Sequence, residues 1–235
     1  MENKMKQILQ QMWDTAASLN KRNILSLMSK NVNARILDLG CDNGDWTISL
    51  ANKLGTRHIA GIEIVDDAIR ESLDKGIDCQ KSDLCDDFPF KENSFDVVHA
   101  NQVIEHVSNI DHFIKEIYRV LKPNGYVIIS TENGSSWCNI FATIMGWQMF
   151  SLTNISSKSS GIGNPFALHR HRKGPIPTWT HKTIFNYNGL KELFGVFKFN
   201  NISIKGAGYF PLPSCFGQVD VRHSHFITLK GYKTI

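Results

Sequence analysis

Between residues 34 and 131, short apolar runs alternate with amphipathic segments, and this alternation constrains the fold more than any other feature. The intervening segments, such as Asp45–Leu54 and Ile110–Leu121, have the spacing of helices that bury one face. Strands that alternate with helices form right-handed crossover units around a parallel sheet. We therefore predict an α/β fold with a mostly parallel central sheet. Its first five strands are predicted at Ala34–Leu39, His58–Ile64, Ile77–Gln80, Ser94–Ala100 and Tyr126–Ser130.

The rest of the chain departs from this alternation. Residues 2–30 and Tyr187–Phe194 have helical periodicity. Lys198–Ile204 and His225–Leu229 are typical of two strands, which we expect to pair as an antiparallel hairpin at the sheet edge. Residues 133–180 form an insertion, apolar at first and then basic, which we expect to be a cap. The sequence thus predicts one domain over residues 1–235, made of a helical segment (1–33), a ligand-binding core (34–132), a cap insertion (133–180) and the rest of the sheet (181–235).

Composition and charge narrow the class of protein. No run of about 18 apolar residues is present, so we expect no transmembrane segment. The net charge of +4 is too small to imply nucleic-acid binding. The five cysteines include no CxxC pair, which argues for a reduced setting and against a zinc knuckle or a disulfide scaffold. We expect a cytoplasmic monomer or homodimer that acts on a small molecule.

The segment Ile36–Asp45, ILDLGCDNGD, is the strongest local motif. A buried strand leads into a glycine turn, and a helix follows. Glycine at position 40 permits a positive φ and lets a ligand approach the backbone closely. The start of the following helix offers free N–H donors. The motif therefore predicts a nucleotide-type binding loop.

Acidic residues follow the next two predicted strands. Glu63 ends the second strand, about 20 residues beyond the glycine turn, where an acid accepts hydrogen bonds from ribose hydroxyls. Asp83 follows the third strand and could accept the exocyclic amine of adenine. Ile64 and Leu84 could hold the base between apolar surfaces. The sequence therefore predicts an adenosine site along these strand ends.

The charge of the loop favours one adenosine ligand over another. Asp38, Asp42 and Asp45 crowd the place where the pyrophosphate of a dinucleotide would lie, and they would repel it. S-adenosylmethionine (SAM) carries no phosphate, and its ammonium and sulfonium groups are cationic. The acids therefore favour SAM over NAD.

Together these segments resemble the class I SAM-dependent methyltransferases, in particular the small-molecule group that includes the ubiquinone and menaquinone methyltransferases. The resemblance implies a Rossmann-like fold, SAM as methyl donor and S-adenosylhomocysteine (SAH) as product. It is carried by ILDLGCDNGDWT, GIEIVDDAI, SDLCDDFPF, SFDVVHANQVIEHV and EIYRVLKPNGYVIISTEN. By position it places Asp38 and Gly40 near the methionine part, Glu63 on the ribose, Asp83 and Leu84 around adenine, and Asn101 and Gln102 beneath the sulfonium. Cys41, in the same loop as Gly40, is a further candidate for cofactor binding.

One residue of the loop departs from the family pattern. Asp42 stands where relatives usually have glycine. Aspartate tolerates left-handed backbone better than most residues, so we expect the turn to survive. Its side chain either meets the SAM ammonium or caps the next helix.

Two histidines are candidates for a catalytic base, because an imidazole titrates near neutral pH. His106 lies in QVIEH, and its alternative role is in the structure of the pocket wall. His181 matches a histidine that relatives place before the helix after the fifth strand; its alternative roles are packing and substrate positioning. Some relatives bind a divalent ion with an acid-x-x-acid-His pattern. Gln102 replaces the first acid here and removes an oxygen ligand, so we assign no metal site.

The insertion supplies the candidate substrate-binding residues. Trp137 begins an apolar helical stripe that could be a cap, a dimer contact or a membrane-surface helix. His169, Arg170 and Arg172 belong to a basic run that is either a solvated loop or a grip for an anionic acceptor. We therefore predict methyl transfer to an oxygen or nitrogen of a small polar acceptor, phosphorylated or saccharide. The alternatives are a hydrophobic quinone-like acceptor and a SAM-binding regulatory module without catalysis.

Overall fold

The computed structural model describes residues 2–170 and 180–234. Over these residues the predicted alternation is realised as helices and strands close to the expected bounds. The helices are α1 (Glu2–Ser26), α2 (Asp45–Leu54), α3 (Asp66–Asp74), α4 (Ile110–Val120), α5 (Trp137–Ile144) and α6 (Tyr187–Val196). The strands are β1 (Arg35–Leu39), β2 (His58–Glu63), β3 (Asp78–Lys81), β4 (Phe95–Asn101), β5 (Leu121–Glu132), β6 (Phe199–Ala207) and β7 (Phe226–Lys233).

The seven strands form one sheet in the order β3-β2-β1-β4-β5-β7-β6. The pairs β3–β2, β2–β1, β1–β4 and β4–β5 are parallel. The strands β5, β7 and β6 form an antiparallel edge. This confirms the predicted α/β fold class, a mostly parallel sheet with a C-terminal hairpin at its edge.

The register of the parallel strands determines where their following loops begin. Leu39 pairs with Ile62 on one side and with Ala100 on the other. Glu63 pairs with Lys81. The carboxyl ends of β3, β2, β1 and β4 therefore lie along one edge of the sheet, which is where open α/β sheets bind their ligands.

Strand β5 is longer than the sequence predicts. It begins at Leu121, directly after α4, whereas the prediction began at Tyr126. Its register against β4 jumps, since Phe95 pairs with Leu121 and Val97 with Tyr126. The intervening residues 122–125 include Pro123, which cannot donate a ladder hydrogen bond, so they bulge out of the pairing. Residues 122–125 thus form a bulge near the start of β5.

The chain divides into two compact units, and the first carries the parallel strands. This sheet unit comprises Ile24–Ser130, Lys191–Ser203 and Leu229–Ile235. One buried cluster of this unit packs the aliphatic side chains of β1, α2, β4 and β5 against the end of α1. The buried members are Ile24, Met28, Ile36, Leu50, Leu54, Val97 and Ile128.

The second compact unit, the insertion unit, comprises Met1–Asn23, Thr131–Leu190 and Ile204–Thr228. Its core joins α1 to the last strands through Ala16, Leu19, Ala207 and Phe226. The prediction of a single domain over the whole chain stays a prediction. Over residues 2–170 and 180–234, none of the helices combines the length and the apolar composition that a membrane crossing requires.

Candidate active site

The glycine turn after β1 has the backbone that the sequence predicts. Gly40 has a φ of 68°, in the left-handed region. A Cβ placed on it would lie 2.9 Å from Cγ2 of Val103. Cys41, the next residue, is buried. Glycine is therefore needed at position 40 both for its conformation and for the narrow space beside it.

Asp42 adopts the backbone conformation of the turn at the position where relatives usually have glycine. Its φ is 49°, so the prediction of a left-handed aspartate is confirmed. The alternative that Asp42 caps the next helix is wrong: the N-cap of α2 is Gly44, and it makes no side-chain cap hydrogen bond. The Asp42 side chain is exposed, which leaves it available to a ligand.

Glu63 ties the end of β2 to the glycine turn. Its Oε2 accepts the backbone N–H of Asp42 at 3.0 Å, and its Oε1 accepts those of Ile64 and Val65 at 2.7 and 3.0 Å. A carboxylate offers about four acceptor sites, so roughly one remains after these three bonds. Glu63 therefore shapes the loop and has capacity left for a ligand hydroxyl. Its contact with ribose stays a prediction.

Asp83 lies at the same edge, after β3. Its Oδ1 accepts the backbone N–H of Cys85 at 2.8 Å, which forms a tight turn. The side chain is exposed, Leu84 is half-buried and Ile64 is exposed. A carboxylate flanked by two apolar side chains fits the polar edge and the faces of a purine. The adenine contact stays a prediction for these residues.

The side chain of Gln102 is the strongest indication that a ligand binds at this edge of the sheet. It directly follows β4, has a φ of 59°, and donates its backbone N–H to the carbonyl of Ser130 at 2.8 Å. Its side-chain Nε2 is buried and has no hydrogen-bond partner among the described residues. An unpaired buried donor costs about 1–3 kcal/mol. A carboxylate or hydroxyl oxygen of a bound ligand would satisfy it. Asn101, its neighbour, is half-buried.

Asp38 has both oxygens engaged inside the sheet unit. Oδ2 accepts the hydroxyl of Thr47 at 2.6 Å, and Oδ1 lies 2.7 Å from Nδ1 of His99. The indole N–H of Trp46 makes a long contact of 3.5 Å with Nε2 of His99. These partners give His99 its proton on Nδ1. Asp38 therefore joins β1 to α2 and β4 and holds the loop in place. The predicted contact with the methionine part of SAM stays a prediction.

Comparison with known sequences identifies the family. A family model described as a methyltransferase domain matches residues 8–204. The chain belongs to this family. It is similar to the demethylmenaquinone methyltransferases of Staphylococcus epidermidis (24% identical) and Staphylococcus aureus (25%), over 79% of the chain and 76% of those proteins.

Solved structures agree with this methyltransferase in fold. A possible histamine N-methyltransferase from Thermotoga maritima matches with a TM-score of 0.61 at 17% identity, over 93% of this chain and 89% of that one. Phosphoethanolamine N-methyltransferase 2 of Haemonchus contortus, solved with SAM, matches with 0.57 at 16%, over 95% and 53%. The predictions of family, fold class and enzyme class, a SAM-dependent methyltransferase, are confirmed.

The two predicted catalytic histidines lie in different units. His106 ends a short 3-10 helix, Ile104–His106, in the sheet unit and is half-buried. His181, in the insertion unit, has its Nδ1 2.6 Å from the carbonyl of Ser151. A carbonyl only accepts, so this contact places the proton on Nδ1 and leaves the lone pair on Nε2. The catalytic role of His181 stays a prediction.

The predicted substrate-binding residues are spread over the insertion unit. Trp137 begins α5, which confirms the predicted helix there; it donates its indole N–H to the hydroxyl of Tyr209 at 2.8 Å and stacks on His223 at 4.7 Å. Arg170 is half-buried. Arg172 lies outside the described residues. The remaining candidate, His169, lines a cavity.

This cavity lies within the insertion unit and is partly open to solvent, and its empty space, the open part included, is about 640 Å³. Its wall is mostly apolar, and its polar members include Glu132 and His225, which the sequence analysis missed. Glu132 could have been found, because it is an acid at the carboxyl end of β5, as Glu63 is at the carboxyl end of β2. His225 has no such signal in the sequence.

The buried imidazole of His225 should make stability depend on pH. Burial lowers its pKa below the ordinary value of 6.5, and the Glu132 carboxylate opposes part of that shift. Between the lowered pKa and about 6.5, the unfolded chain binds a proton that the folded chain does not, so stability is lost as pH falls. The other titratable groups of the cavity wall are Cys138 and His169.

We expect His225→Phe to remove this component of the pH dependence. Urea unfolding of both proteins at about pH 7.5 and about pH 5 measures it. The wild type should lose more free energy of unfolding on acidification than the variant. Equal losses would show that His225 is protonated equally in the folded and unfolded states.

Proposed function

We propose that the chain transfers the methyl group of SAM to an oxygen or nitrogen of a small acceptor, and that SAM binds along the carboxyl ends of β1 to β4. Gly40, Cys41 and Asp42 would hold its methionine part, with Asp38 fixing the loop from inside. Glu63 would bind the ribose. Adenine would lie by Asp83, Ile64 and Leu84, and Asn101 and Gln102 would lie beneath the sulfonium. The observation that carries this assignment is the unpaired buried Nε2 of Gln102, a donor that the carboxylate of the methionine part would satisfy.

Bound SAM supplies a methyl group that its cationic sulfonium makes electrophilic. The residues of the chain bind it, orient the acceptor and exclude water. The exposed carboxylate of Asp42, in the loop proposed to hold the methionine part, complements the positive charge of this donor. It would repel a pyrophosphate at the same place, so this charge disfavours NAD.

The acceptor is either a small polar molecule, phosphorylated or saccharide, or an uncharged hydrophobic one of quinone-like character. The support for an anionic acceptor is the basic run, of which His169 lines the cavity. The support for an uncharged acceptor is the cavity itself. No lysine or arginine of the described residues lines it, whereas Glu132 does. A phosphate would lose hydration there without gaining a counter-ion. We therefore favour the uncharged acceptor.

Calorimetric titration of the full chain with SAH and with NAD tests the donor. We expect SAH to bind at least about 100-fold more tightly, a difference of about 2.7 kcal/mol. Gln102→Leu should weaken SAH binding about tenfold, since the hydrogen bond of a neutral amide to a charged oxygen contributes about 1.5–3 kcal/mol.

Gln11→Leu is the matched control, because Gln11 is exposed on α1 and lies outside the proposed SAM site. It should bind SAH as the wild type does. Equal affinity for NAD and SAH would reject the proposed donor. Unchanged SAH binding by Gln102→Leu would reject the part assigned to Gln102.

A further inference from the structure

The cavity of the insertion unit contains a histidine whose bonding is incomplete. His225 is 5% exposed. Its Nδ1 lies 3.5 Å from Sγ of Cys138. Its Nε2 is buried and has no hydrogen-bond partner among the described residues. Nearly all buried polar atoms in folded proteins are paired, so this nitrogen indicates a ligand atom that is able to hydrogen-bond to it.

The shape of the wall indicates the rest of that ligand. Aromatic rings of four residues line the cavity: Trp13, Phe150, Phe166 and Phe210. The ring of Phe210 meets that of His225 edge-on, with 4.7 Å between centroids. Aromatic pairs prefer stacked or edge-to-face contacts, which a planar ring can make on several sides at once. The wall therefore favours a planar aromatic ligand over a flexible polar one.

Among the residues that the structure describes, the charges of the wall disfavour an anion. Glu132 is a carboxylate in this wall, and no described lysine or arginine lines it. The imidazole is neutral near pH 7, because burial lowers its pKa. An anionic group would be desolvated beside a like charge. An ammonium group could pair with Glu132, but it only donates, and it meets Nε2 only when that atom carries the lone pair.

A hydroxyl group suits Nε2 in either tautomer of the ring. Neutral imidazole carries one proton, and the thiol of Cys138 can either give a hydrogen bond to Nδ1 or receive one from it. Nε2 is then a donor in the first case and an acceptor in the second. A hydroxyl can both donate and accept, so it completes the bonding of His225 in both cases.

We propose that this cavity binds an uncharged hydroxylated aromatic ring, with the hydroxyl hydrogen-bonded to Nε2 of His225 and the ring between the aromatic walls. The inference deepens the proposed function, on which it rests, by naming the class of acceptor. It assigns substrate binding to His225, Phe166 and Phe210, which the sequence analysis did not consider.

Calorimetry of the full chain with 2-naphthol as probe tests the proposal. Ligands with the same rings define the chemistry: naphthalene without the hydroxyl, 2-naphthyl phosphate as anion and 2-naphthylmethylamine as cation. We expect 2-naphthol to bind about tenfold or more tightly than each of them, as one hydrogen bond to a buried partner allows. Tighter binding of the phosphate or of the amine would overturn the proposal.

Variants of His225 separate the hydrogen bond from the packing. His225→Phe keeps an aromatic side chain in the cavity wall but removes the hydrogen bond. It should weaken 2-naphthol binding about tenfold while leaving naphthalene binding unchanged. His225→Gln keeps a polar group near the position of Nε2 and should retain most of the affinity. His58→Phe, at an exposed position at the start of β2, is the matched control and should bind as the wild type. Equal losses for both ligands in His225→Phe would overturn the hydrogen bond.

A variant at a partly exposed position of the cavity wall tests the proposal even if substitution of the buried His225 disturbs folding. Phe166 is 42% exposed, so Phe166→Ala should fold while removing part of the wall. Its affinity for 2-naphthol should fall severalfold, and an unchanged value would place the probe elsewhere. SAH binding is measured on the same samples. Normal SAH binding without naphthol binding rejects this inference alone, whereas naphthol binding without SAH binding rejects the proposed donor alone.

Discussion

Replacing Glu63 with alanine should lower the affinity for SAH about 100-fold, because two kinds of hydrogen bond are lost together. The carboxylate accepts the backbone N–H groups of Asp42, Ile64 and Val65, so its removal releases the glycine turn. It is also the proposed acceptor for the ribose hydroxyls. Hydrogen bonds to charged groups contribute about 1.5–3 kcal/mol each, and two of them account for the expected change. Calorimetry at fixed salt concentration measures it.

Two further variants show whether the loss of SAH affinity is specific to the carboxylate at position 63. Glu63→Gln keeps one carbonyl oxygen and should give an intermediate affinity. Glu71→Ala removes an exposed carboxylate from α3 and should leave the affinity unchanged. If Glu63→Ala binds SAH as tightly as the wild type, the ribose assignment is wrong. Circular dichroism of each variant verifies that the fold is retained.

The site residues at the strand ends were predictable because they depend on local patterns. A buried strand followed by a glycine places Gly40 in a turn, and the parallel arrangement brings Glu63 and Asp83 to the same edge. The left-handed Asp42 followed from the tolerance of aspartate for that conformation. The role of Asp42 was left open between a ligand contact and a helix cap, because the sequence offers several polar residues before α2 and only the backbone shows that Gly44 is the N-cap.

The cavity in the insertion unit could not be predicted, because its wall combines distant segments. Trp13 comes from α1, Phe150 from the insertion and His225 from the residue before β7. No periodicity links these positions, and the incomplete bonding of His225 exists only in the folded chain. The length of β5 was missed for a related reason: Pro123 is a strong local signal, and the pairing with β4 resumes beyond it.

Replacing Asp38 with alanine should cost about 3–5 kcal/mol of unfolding free energy, the largest stability loss that we expect at this site. Asp38 is 2% exposed and has Thr47 and His99 as partners, and both of these are buried as well. Without the carboxylate, a hydroxyl and an imidazole N–H remain buried and unpaired, at about 1–3 kcal/mol each. Urea unfolding followed by circular dichroism measures the loss.

Urea unfolding of further variants distinguishes the loss of the buried hydrogen-bond network from the loss of a charge in the loop. Asp45→Ala removes an exposed carboxylate paired with Lys75 and should destabilise the fold far less than Asp38→Ala, because solvent screens an exposed ion pair. His99→Leu removes the partner of Asp38, so the double variant Asp38→Ala/His99→Leu should be less destabilised than the sum of the two single changes. A strictly additive result would mean that the two side chains stabilise the fold independently, and the role of Asp38 in joining β1 to β4 would be wrong. A large coupling together with weakened SAH binding would show that the glycine turn depends on this buried pair.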